Sequence, residues 1–250
     1  MGLRVQGALR LLYPPQCVAC GELADAEFGL CGKCWREAGF ISGLVCDCCG
    51  APLPGGPDGP GAVAEAPEAL RCDDCLAIAR PWKRGRAAFL YGETGRRIAL
   101  ALKHGDRTDL ARPAADWMLK AAGPILVPGM LVAPIPLHWF RLFRRRYNQS
   151  ALLAERLAHE ARLAYCPDLL VRSRGTPSQD GRDRAGRFAN VAGAIRPHPA
   201  RKGRLMGRHV LLVDDVMTSG ATFAAAAEAC LAAGAREVSV LALARVAKAP

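Results

Sequence analysis

The sequence lacks an unbroken apolar segment that would cross a membrane as a single helix. Residues 121–140 form a charge-free apolar run that is long enough to span a bilayer. Four prolines would break a helix in this run repeatedly: Pro124, Pro128, Pro134 and Pro136. Arg4 and Arg10 bracket only a short apolar stretch, so no signal peptide is apparent. We therefore expect no membrane insertion and a cytoplasmic location.

Negative charge is also scarce, and it is unevenly placed. The chain contains 34 Lys and Arg but only 23 Asp and Glu, a formal net charge of +11. Residues 1–80 hold 6 basic and 10 acidic side chains, a balance of −4, whereas residues 81–250 hold the other 28 and 13, a balance of +15. This asymmetry predicts two modules with those boundaries, of which the second handles anions. Because 51% of the residues are apolar, long-range disorder is excluded as the main state.

Cysteine, in contrast, is abundant, and its spacing predicts metal binding. Nine of the eleven cysteines lie before residue 76, and eight of these form four C-x-x-C pairs. Two such pairs complete the tetrahedral thiolate shell that zinc prefers. Pairing them in chain order predicts one site made by Cys17, Cys20, Cys31 and Cys34, and a second made by Cys46, Cys49, Cys72 and Cys75.

The role of this cysteine-rich module follows from its ligands. A complete cysteine shell leaves no open position for water or substrate, so we expect one or two structural zinc ions that supply much of the module's folding free energy. Cys48 could replace Cys46 or be a bystander. Disulfides or redox-active pairs are the alternative, which a reducing cytosol and the repeated set disfavour. Residues 51–67 are rich in Gly and Pro and are predicted to form a loop.

After Pro81, apolar strands alternate with amphipathic helices. We predict strands at residues 87–91, 130–135, 210–213 and 238–243, and helices at residues 95–103, 110–121, 149–163 and 221–233. Gly234 follows the last of these helices, at a position suited to a left-handed cap. The order of strands and helices predicts an α/β fold with a parallel sheet and right-handed crossovers.

The segment at residues 209–229 carries the most specific chemical signal. Four apolar residues are followed by Asp214 and Asp215 and then by a loop of small residues that leads into a helix. The backbone amides of this loop, with the hydroxyls of Thr218, Ser219 and Thr222, make a cradle for a phosphate. The two acids would repel that phosphate, and a ribose diol, which donates hydrogen bonds to carboxylates, suits them. A magnesium-holding strand of a nucleoside triphosphatase is the alternative, but the chain contains no G-x-x-x-x-G-K-[ST] motif.

The string VDDVMTSGAT resembles the phosphoribosyl pyrophosphate (PRPP) signature of type I phosphoribosyltransferases. The resemblance implies that the acids hold the ribose hydroxyls and that the loop holds the 5′-phosphate. It assigns a catalytic role to Asp214 and Asp215, and PRPP binding to Asp214, Asp215, Val216, Met217, Thr218, Ser219, Gly220, Ala221 and Thr222. The alternative is a merely acidic strand end before a capped helix, which would need one acid or hydroxyl and not the whole string.

Residues 133–158 and 176–195 resemble the corresponding segments of ComF family proteins. The resemblance implies a fold in which an amino-terminal double zinc ribbon precedes a type I phosphoribosyltransferase domain, and a role in DNA uptake during natural competence. The chain departs from the family pattern at Arg146, where the family usually has glycine.

The candidates for holding pyrophosphate are cationic residues near these segments and the residues of the loop that follows the strand at residues 130–135. In these enzymes the strand before the Arg-rich run at residues 141–146 carries the pyrophosphate loop, and residues 176–190 are predicted to be a mobile lid. The candidates are Pro136, Leu137, His138, Arg145, Arg146, Arg184, Arg187 and Lys103. Each has a plainer alternative: a solvated face for the Arg run, a surface loop for the lid, and a helix-dipole contact for Lys103.

The resemblance implies magnesium-assisted displacement of pyrophosphate from PRPP by an acceptor that no residue identifies. The rival hypothesis is a non-catalytic competence factor that binds single-stranded DNA or other competence proteins. Trp139, Phe140 and Tyr147 alternate with the Arg run, as in surfaces that stack bases and neutralise phosphates. A PRPP-sensing regulator would combine both properties.

Overall fold

A five-stranded parallel sheet lies at the centre of the protein. The computed structural model describes residues 13–55, 70–104, 107–174 and 184–246. In spatial order the strands are β1, β7, β6, β2 and β3, and every neighbouring pair is parallel. A separate antiparallel pair is formed by β4 and β5. The strand bounds are β1 Arg84–Leu90, β2 Leu131–Pro134, β3 Ala164–Tyr165, β4 Leu170–Arg172, β5 Ile195–Pro197, β6 His209–Met217 and β7 Glu237–Arg245.

Helices cover both faces of this sheet. Those of the described chain are α1 Gly32–Glu37, α2 Asp73–Ala77, α3 Glu93–His104, α4 Ala111–Ala122, α5 Trp139–Arg145, α6 Gln149–Glu160, α7 Arg184–Val191 and α8 Ala221–Ala232, with short 3-10 turns at Thr108–Leu110, Gly123–Ile125 and Pro199–Leu205. No helix within the described ranges is long and apolar enough to cross a membrane.

Alternation along the central strands divides the interior into two apolar cores. In β6, Val210 and Leu212 pack into one core, whereas Leu211 and Val213 pack into the other. This is the two-residue period of a strand that is buried on both faces. The first core also contains α8 and the second cysteine-rich ribbon, and the second core contains α3, α4 and α6.

The cysteine-rich module covers the outer edge of β1. The Leu90 amide donates to the Gly39 carbonyl at 2.9 Å, and the Gly85 amide donates to the Asp47 carbonyl at 2.8 Å. At Gly85 a Cβ atom would lie 2.4 Å from the Cys48 carbonyl oxygen, so this approach requires glycine. The otherwise unpaired edge of the sheet is therefore occupied by the ribbons.

The predicted α/β class, with a parallel sheet, flanking helices and a small cysteine-rich module, is confirmed. The left-handed cap is also confirmed, because Gly234 has φ +93° and the Ala235 amide returns to the Cys230 carbonyl at 3.0 Å. The predicted lid at residues 176–190 was wrong in its second half, where the chain forms α7. Phe188 and Val191 of α7 pack into the first core, which stabilises a helix despite Gly186. Residues 175–183 lie outside the described residues, as do residues 56–67 of the predicted ribbon loop.

Candidate functional site

Two clusters of four cysteines have the geometry of zinc sites. In each, the four Sγ atoms lie within 4.8 Å of one another. Sγ of Cys20 and Cys31 are 3.7 Å apart, and Sγ of Cys49 and Cys72 are 3.6 Å apart. A tetrahedron of zinc–sulfur bonds spaces its sulfurs by about 3.8 Å, so both sets fit zinc. We call Cys17, Cys20, Cys31 and Cys34 cluster one, and Cys46, Cys49, Cys72 and Cys75 cluster two.

Local structure explains how each cluster is assembled from its pairs. In both clusters the second C-x-x-C pair opens a short helix: Cys31 is the N-cap of α1 and Cys72 is the N-cap of α2. Cys48 is not part of the cluster-two set. It is buried, and its carbonyl accepts a hydrogen bond from the Trp82 indole at 2.6 Å. Of the open alternatives for Cys48, the bystander is therefore the one that this arrangement supports.

The acid pair lies where β2 stops pairing with β6. The β2 ladder ends with Pro134 opposite Val213, whereas β6 continues along β7 as far as Met217. Asp214 and Asp215 therefore lie inside a strand that is longer than the predicted residues 210–213, at the carboxyl edge of the sheet. Ligands of open α/β sheets bind in the crevice at this edge.

The two acids have different surroundings. Asp214 Oδ1 accepts hydrogen bonds from the Ser150 hydroxyl at 2.7 Å and from the Asp215 amide at 2.9 Å. Within the described part of the chain, Asp214 Oδ2 accepts no hydrogen bond. Asp215 is only 3% exposed, and its Oδ2 lies 3.0 Å from Lys103 Nζ. The Gln149 amide also points at this oxygen, at 3.4 Å. Asp215 is thus fixed by protein groups, while Asp214 keeps one oxygen for a ligand.

Burial raises the pKa of Asp214 to about 7, and the charge of Asp215 adds to the shift. The Ser150 hydroxyl and the Lys103 ammonium oppose it. An isolated aspartate would be fully ionised at neutral pH. Asp214 therefore changes its charge within the physiological range, and a hydrogen-bond donor or cation from a ligand would favour its ionised form.

The loop after β6 presents backbone amides at the start of a twelve-residue helix. Gly220 is the N-cap of α8 and has φ +81°, a left-handed conformation that glycine adopts without strain. Ser219 Oγ accepts from the Ala221 amide at 3.4 Å. The amides of Thr218, Ser219 and Gly220 have no recorded partner among the described residues. Together with the helix dipole, these amides form an anion-binding concavity.

Cationic side chains surround the acid pair. Lys103, predicted as a pyrophosphate candidate, forms an ion pair with Asp215. Burial lowers the pKa of Arg145, and the nearby charge of Asp215 opposes that shift. Arg172, which sequence reasoning missed, is close enough to Asp214 for its charge to favour the guanidinium. These side chains come from α3, α5 and β4, so their convergence depends on the tertiary fold.

The remaining predicted pyrophosphate residues fall into two groups. Pro136, Leu137 and His138 follow β2 directly, and His138 is the N-cap of α5, accepting from the Phe140 amide at 3.4 Å. This places them beside β6, because the Ile135 amide donates to the Val213 carbonyl at 2.9 Å. Arg184 and Arg187 lie in α7, and their side chains are outside the described residues.

Sequence reasoning also missed the residues that position the acid pair. Tyr147 donates to the Leu102 carbonyl at 2.7 Å, next to Lys103. Asn148 donates to the Ile135 carbonyl at 3.0 Å, and its Oδ1 caps α6 by accepting from the Ser150 amide. Gln149 and Ser150 then reach Asp215 and Asp214. The only sequence signal was that these four residues belong to a segment with a family resemblance.

Comparisons with known proteins agree with this architecture. Residues 8–76 match the family model of the double zinc ribbon domain. The chain is 30% identical to the DNA utilization protein YhgH of Salmonella typhimurium over 242 residues, which cover 94% of this chain and 99% of that protein. It is 27% identical to competence protein F of Haemophilus influenzae over 92% of this chain and 96% of that protein. The chain belongs to the ComF family.

Among solved structures, the ComF chain is similar to the glutamine PRPP amidotransferase of B. subtilis, which was complexed with ADP and GMP. The likeness covers 58% of this chain and 30% of that one, with 20% sequence identity and a TM-score of 0.39. The ComF family expected from the cysteine pairs and from residues 133–158 and 176–195 is confirmed by the sequence relatives.

The departure from the ComF pattern at Arg146 has a structural explanation. Arg146 ends α5 with φ +66° and ψ −18°, in the left-handed region. Glycine adopts this region without the steric cost that a side chain brings. Arg146 thus has a backbone conformation that glycine favours, while its side chain adds a positive charge.

The ComF chain exposes apolar side chains along α5, next to the acid pair. Trp139, Phe140 and Phe143 are 69%, 58% and 83% exposed, and no residue of α5 is buried. Trp139, Leu142, Phe143, Arg144 and Arg146 line a surface cavity. A helix that is both aromatic and cationic is unusual on an unpartnered surface, because exposed apolar patches mark interaction sites.

Proposed function

We propose that the carboxyl edge of the sheet binds PRPP with magnesium and that the protein transfers the phosphoribosyl group with release of pyrophosphate. The observation that carries the proposal is the position of the acid pair, one loop away from free amides at the start of α8. A ligand that bridges them needs a diol and a phosphate a few ångströms apart, which a ribose 5-phosphate supplies.

In this proposal each group has one task. Asp214 Oδ2 accepts a hydrogen bond from a ribose hydroxyl. Asp215 binds Lys103 and Gln149 and so fixes the position of the Lys103 ammonium at the end of β6. The amides of residues 218–220 take the 5′-phosphate. Arg145 and Arg172 supply positive charge towards the pyrophosphate, and planar guanidinium groups can bind two oxygens at once.

The transfer breaks the bond between the anomeric carbon and a pyrophosphate oxygen and forms a bond from that carbon to the acceptor. Pyrophosphate leaves with the bonding electron pair, so the protein stabilises negative charge that develops on the leaving group. Magnesium bound to the pyrophosphate would neutralise part of this charge. Fixing the ribose at one end and the leaving group at the other lowers the entropic part of the barrier.

Calorimetric titration with PRPP and magnesium tests the proposal. We expect binding to the native protein, and a loss of about tenfold or more in affinity for Asp214→Asn combined with Asp215→Asn. The matched control is Asp168→Asn, because Asp168 forms an exposed ion pair with Arg201 and belongs neither to the acid pair nor to the loop at residues 218–220. Absence of binding, or equal affinity in the double variant and the control, would overturn the assignment.

A second candidate function is binding of single-stranded DNA along α5, and the exposed aromatic and cationic residues of that helix favour it. The YhgH relatives are named DNA utilization proteins. Stacking on an aromatic ring contributes about 1–3 kcal/mol per base, and phosphate contacts make binding salt-dependent. We expect Trp139→Ala and Phe143→Ala to weaken binding of an oligonucleotide, whereas Tyr13→Ala, on the exposed first ribbon, should not.

Titration with the oligonucleotide at several salt concentrations, with and without PRPP, separates an enzyme, a DNA-binding factor and a PRPP-sensing regulator. Oligonucleotide affinity that does not fall with salt would exclude DNA contacts of this kind. DNA binding that changes when PRPP is added would identify a PRPP-sensing regulator, since linkage requires coupling in both directions. The proposal includes the cytoplasm as the compartment, because eight zinc-binding thiolates need reducing conditions.

A further inference from the structure

Arg245 joins the loop at residues 218–220, which we call the phosphate loop, to cluster two through a buried guanidinium. It is the last residue of β7 and is 2% exposed. Its Nη1 donates to the carbonyl oxygens of Met217 at 3.2 Å and of Thr218 at 2.5 Å. Its Nη2 lies 3.8 Å from the Sγ of Cys49. One side chain therefore contacts both the loop that would hold a phosphate and a ligand of the second zinc site.

A second arginine, Arg80, binds the same loop from the chain that follows cluster two. Arg80 Nη1 donates to the Ser219 carbonyl at 2.8 Å, and its guanidinium lies over the Trp82 ring at 5.4 Å. Trp82 is in turn fixed by its hydrogen bond to the Cys48 carbonyl. A Cβ at Gly220 would lie 3.0 Å from the Trp82 ring, so the loop is in close contact with this support.

The direction of these hydrogen bonds bears on anion binding. In a trans peptide the carbonyl and the amide of the next residue point in opposite directions, and the described chain contains no cis peptide. Arg245 and Arg80 draw the carbonyls of residues 217, 218 and 219 towards the ribbon. The amides of residues 218, 219 and 220 are thereby turned away from the ribbon, as an anion site requires.

A buried guanidinium needs a compensating charge. None of the carboxylates in the described ranges lies within ion-pair distance of Arg245. Four thiolates with one zinc ion carry a net charge of about −2, and cluster two therefore offers a counter-charge at Cys49. Without it, the cost of burying the cation would favour movement of Arg245 towards water.

We propose that Arg245 is a positioning residue for the phosphate loop and that zinc-loaded cluster two holds it in place. The predicted effect of Arg245 on PRPP affinity rests on the proposed function. The predicted effect of Arg245 on the order of the loop does not. Cluster one supplies an internal control. Arg97 lies 3.9 Å from the Sγ of Cys34, but its side chain is 44% exposed and does not touch the loop.

The direct test is amide hydrogen exchange in the full chain with both zinc ions bound, measured at residues 216, 217, 221 and 222, because the amides of residues 218–220 are unpaired within the described chain and exchange fast in any case. We expect Arg245→Gln to speed exchange at these residues about tenfold or more, since it removes the hydrogen bonds of a charged donor. Arg97→Gln, the matched change at cluster one, should leave their exchange unchanged. Arg245→Lys should recover part of the protection, because it keeps the charge but not the planar fork.

A second pair of variants tests the charge without touching the arginine. Cys49→His keeps a four-ligand zinc site but lowers its negative charge by one, and Cys34→His does the same at cluster one. With zinc content verified as two per chain, we expect faster loop exchange only in Cys49→His. This pair also decides the matter if Arg245→Gln does not fold. Unchanged exchange in Arg245→Gln or in Cys49→His would overturn the proposal.

Titration with PRPP and magnesium, and separately with inorganic phosphate, connects the loop to its ligand. We expect Arg245→Gln and Cys49→His to lower the affinity for both ligands about tenfold. Arg97→Gln and Cys34→His, the corresponding changes at cluster one, should bind both ligands as the native protein does. Protein that binds no PRPP but still shows Arg245-dependent loop exchange would refute the proposed function and leave the positioning role intact. Native PRPP affinity in both cluster-two variants would overturn the coupling.

Discussion

The two cysteine clusters have the same ligand type and the same C-x-x-C spacing, yet they differ in their surroundings. Cluster one lies near the surface, where Cys20 is exposed and the nearby Arg97 is half-exposed. Its ribbon packs through Phe40 against Phe89 and Trp117, on the face of the sheet that α3 and α4 cover. Cluster one thus stabilises a small ribbon that packs against the main domain.

Cluster two is part of the domain's own core. Cys46 and Cys49 are fully buried in the same apolar core as Met217 and Ala221, which flank the phosphate loop. The comparison shows that the C-x-x-C motif determines which metal can bind. The packing around each cluster determines which parts of the protein the metal stabilises. In our proposal, a structural zinc site whose ligand contacts the phosphate loop through Arg245 influences that loop even though no substrate reaches the metal.

The largest expected effect is on stability when one ligand of each cluster is removed. Cys46→Ser should cost about 3 kcal/mol more than Cys20→Ser, because it leaves Arg245 buried without its counter-charge and disrupts the shared core. Urea unfolding followed by circular dichroism, with zinc content determined for each variant, measures the difference. Equal costs would show that the two clusters are equivalent, contrary to the comparison.

The second prediction compares two aspartates whose pKa values are shifted in opposite directions, one near each cysteine cluster. The pKa of Asp214, beside the loop that cluster two supports, is raised by burial to about 7. The native state therefore binds the proton more tightly than the unfolded state, and stability falls as pH rises from about 4 to about 7. Asp214→Asn should be about 2 kcal/mol more stable than the native protein at pH 8, and the gain should vanish near pH 4.

The control is Asp109, which lines the surface cavity beside cluster one. Its hydrogen bond with Arg107 lowers the pKa of this carboxyl, so its contribution to stability is present above the unfolded pKa near 4 and is lost as pH falls through the lower folded value. Asp109 is half-exposed, so Asp109→Asn should cost less than about 1 kcal/mol. Unfolding curves from pH 3 to pH 9 that show the same sign for both variants would contradict the assignment.

The third prediction compares the ion pairs that attach each ribbon to the domain. Asp47 of the second ribbon lies 2.6 Å from the Arg86 guanidinium, whose side chain is 10% exposed. Glu37 of the first lies 3.5 Å from the half-exposed Arg97. Asp47→Asn should cost about 2 kcal/mol and Glu37→Gln less than about 0.5 kcal/mol, since solvent screens exposed pairs. Double-mutant cycles with Arg86→Gln and Arg97→Gln measure both coupling energies, and a larger coupling at Glu37 would refute this ranking.

The smallest effect concerns two non-glycine residues with positive φ. Arg146→Gly, at the loop beside the acid pair, should stabilise the protein by about 0.5 kcal/mol, because relief of left-handed strain slightly exceeds the added freedom of the unfolded chain. Phe28→Gly, in the first ribbon, relieves similar strain but loses the contact of Phe28 with Arg112. No net gain is expected there. Thermal unfolding of both variants tests this, and stabilisation by Phe28→Gly would be the unexpected result.

What the sequence predicts well is contained in short segments. The two sets of four cysteines follow from spacing over a few residues, and the structure brings each set together. The order of strand, loop and helix around residues 214–222 is also local and is found as predicted. The cap at Gly234 is equally local. Periodicity also predicts the longer elements, which are β1, β2, β6, β7, α3, α4, α6 and α8, although β6 extends four residues further than its apolar run. It does not predict the short strands β3, β4 and β5 or the helices α5 and α7.

What the sequence does not predict depends on contacts between distant elements. Lys103 and Asp215 pair across more than a hundred residues because α3 and β6 end at the same edge of the sheet. Nothing local distinguishes Arg245 from a surface arginine until β7 is placed between β1 and β6. The helix at α7 contradicts a composition typical of a loop, because Phe188 and Val191 find an apolar core to pack against.

The position of β7 also governs the order in which the fold can form during synthesis. β1 pairs within the sheet only with β7, so Arg84 finds its partner Ser239 after almost all of the described chain has been made. Such long-range pairing is slow, because the closure of a long loop precedes the gain in contacts. Meanwhile the ribbons, translated earlier, can already bind zinc and hold the other edge of β1. A nascent chain that stops before residue 237 would therefore carry both metal sites and the acid pair but lack the strand that joins them.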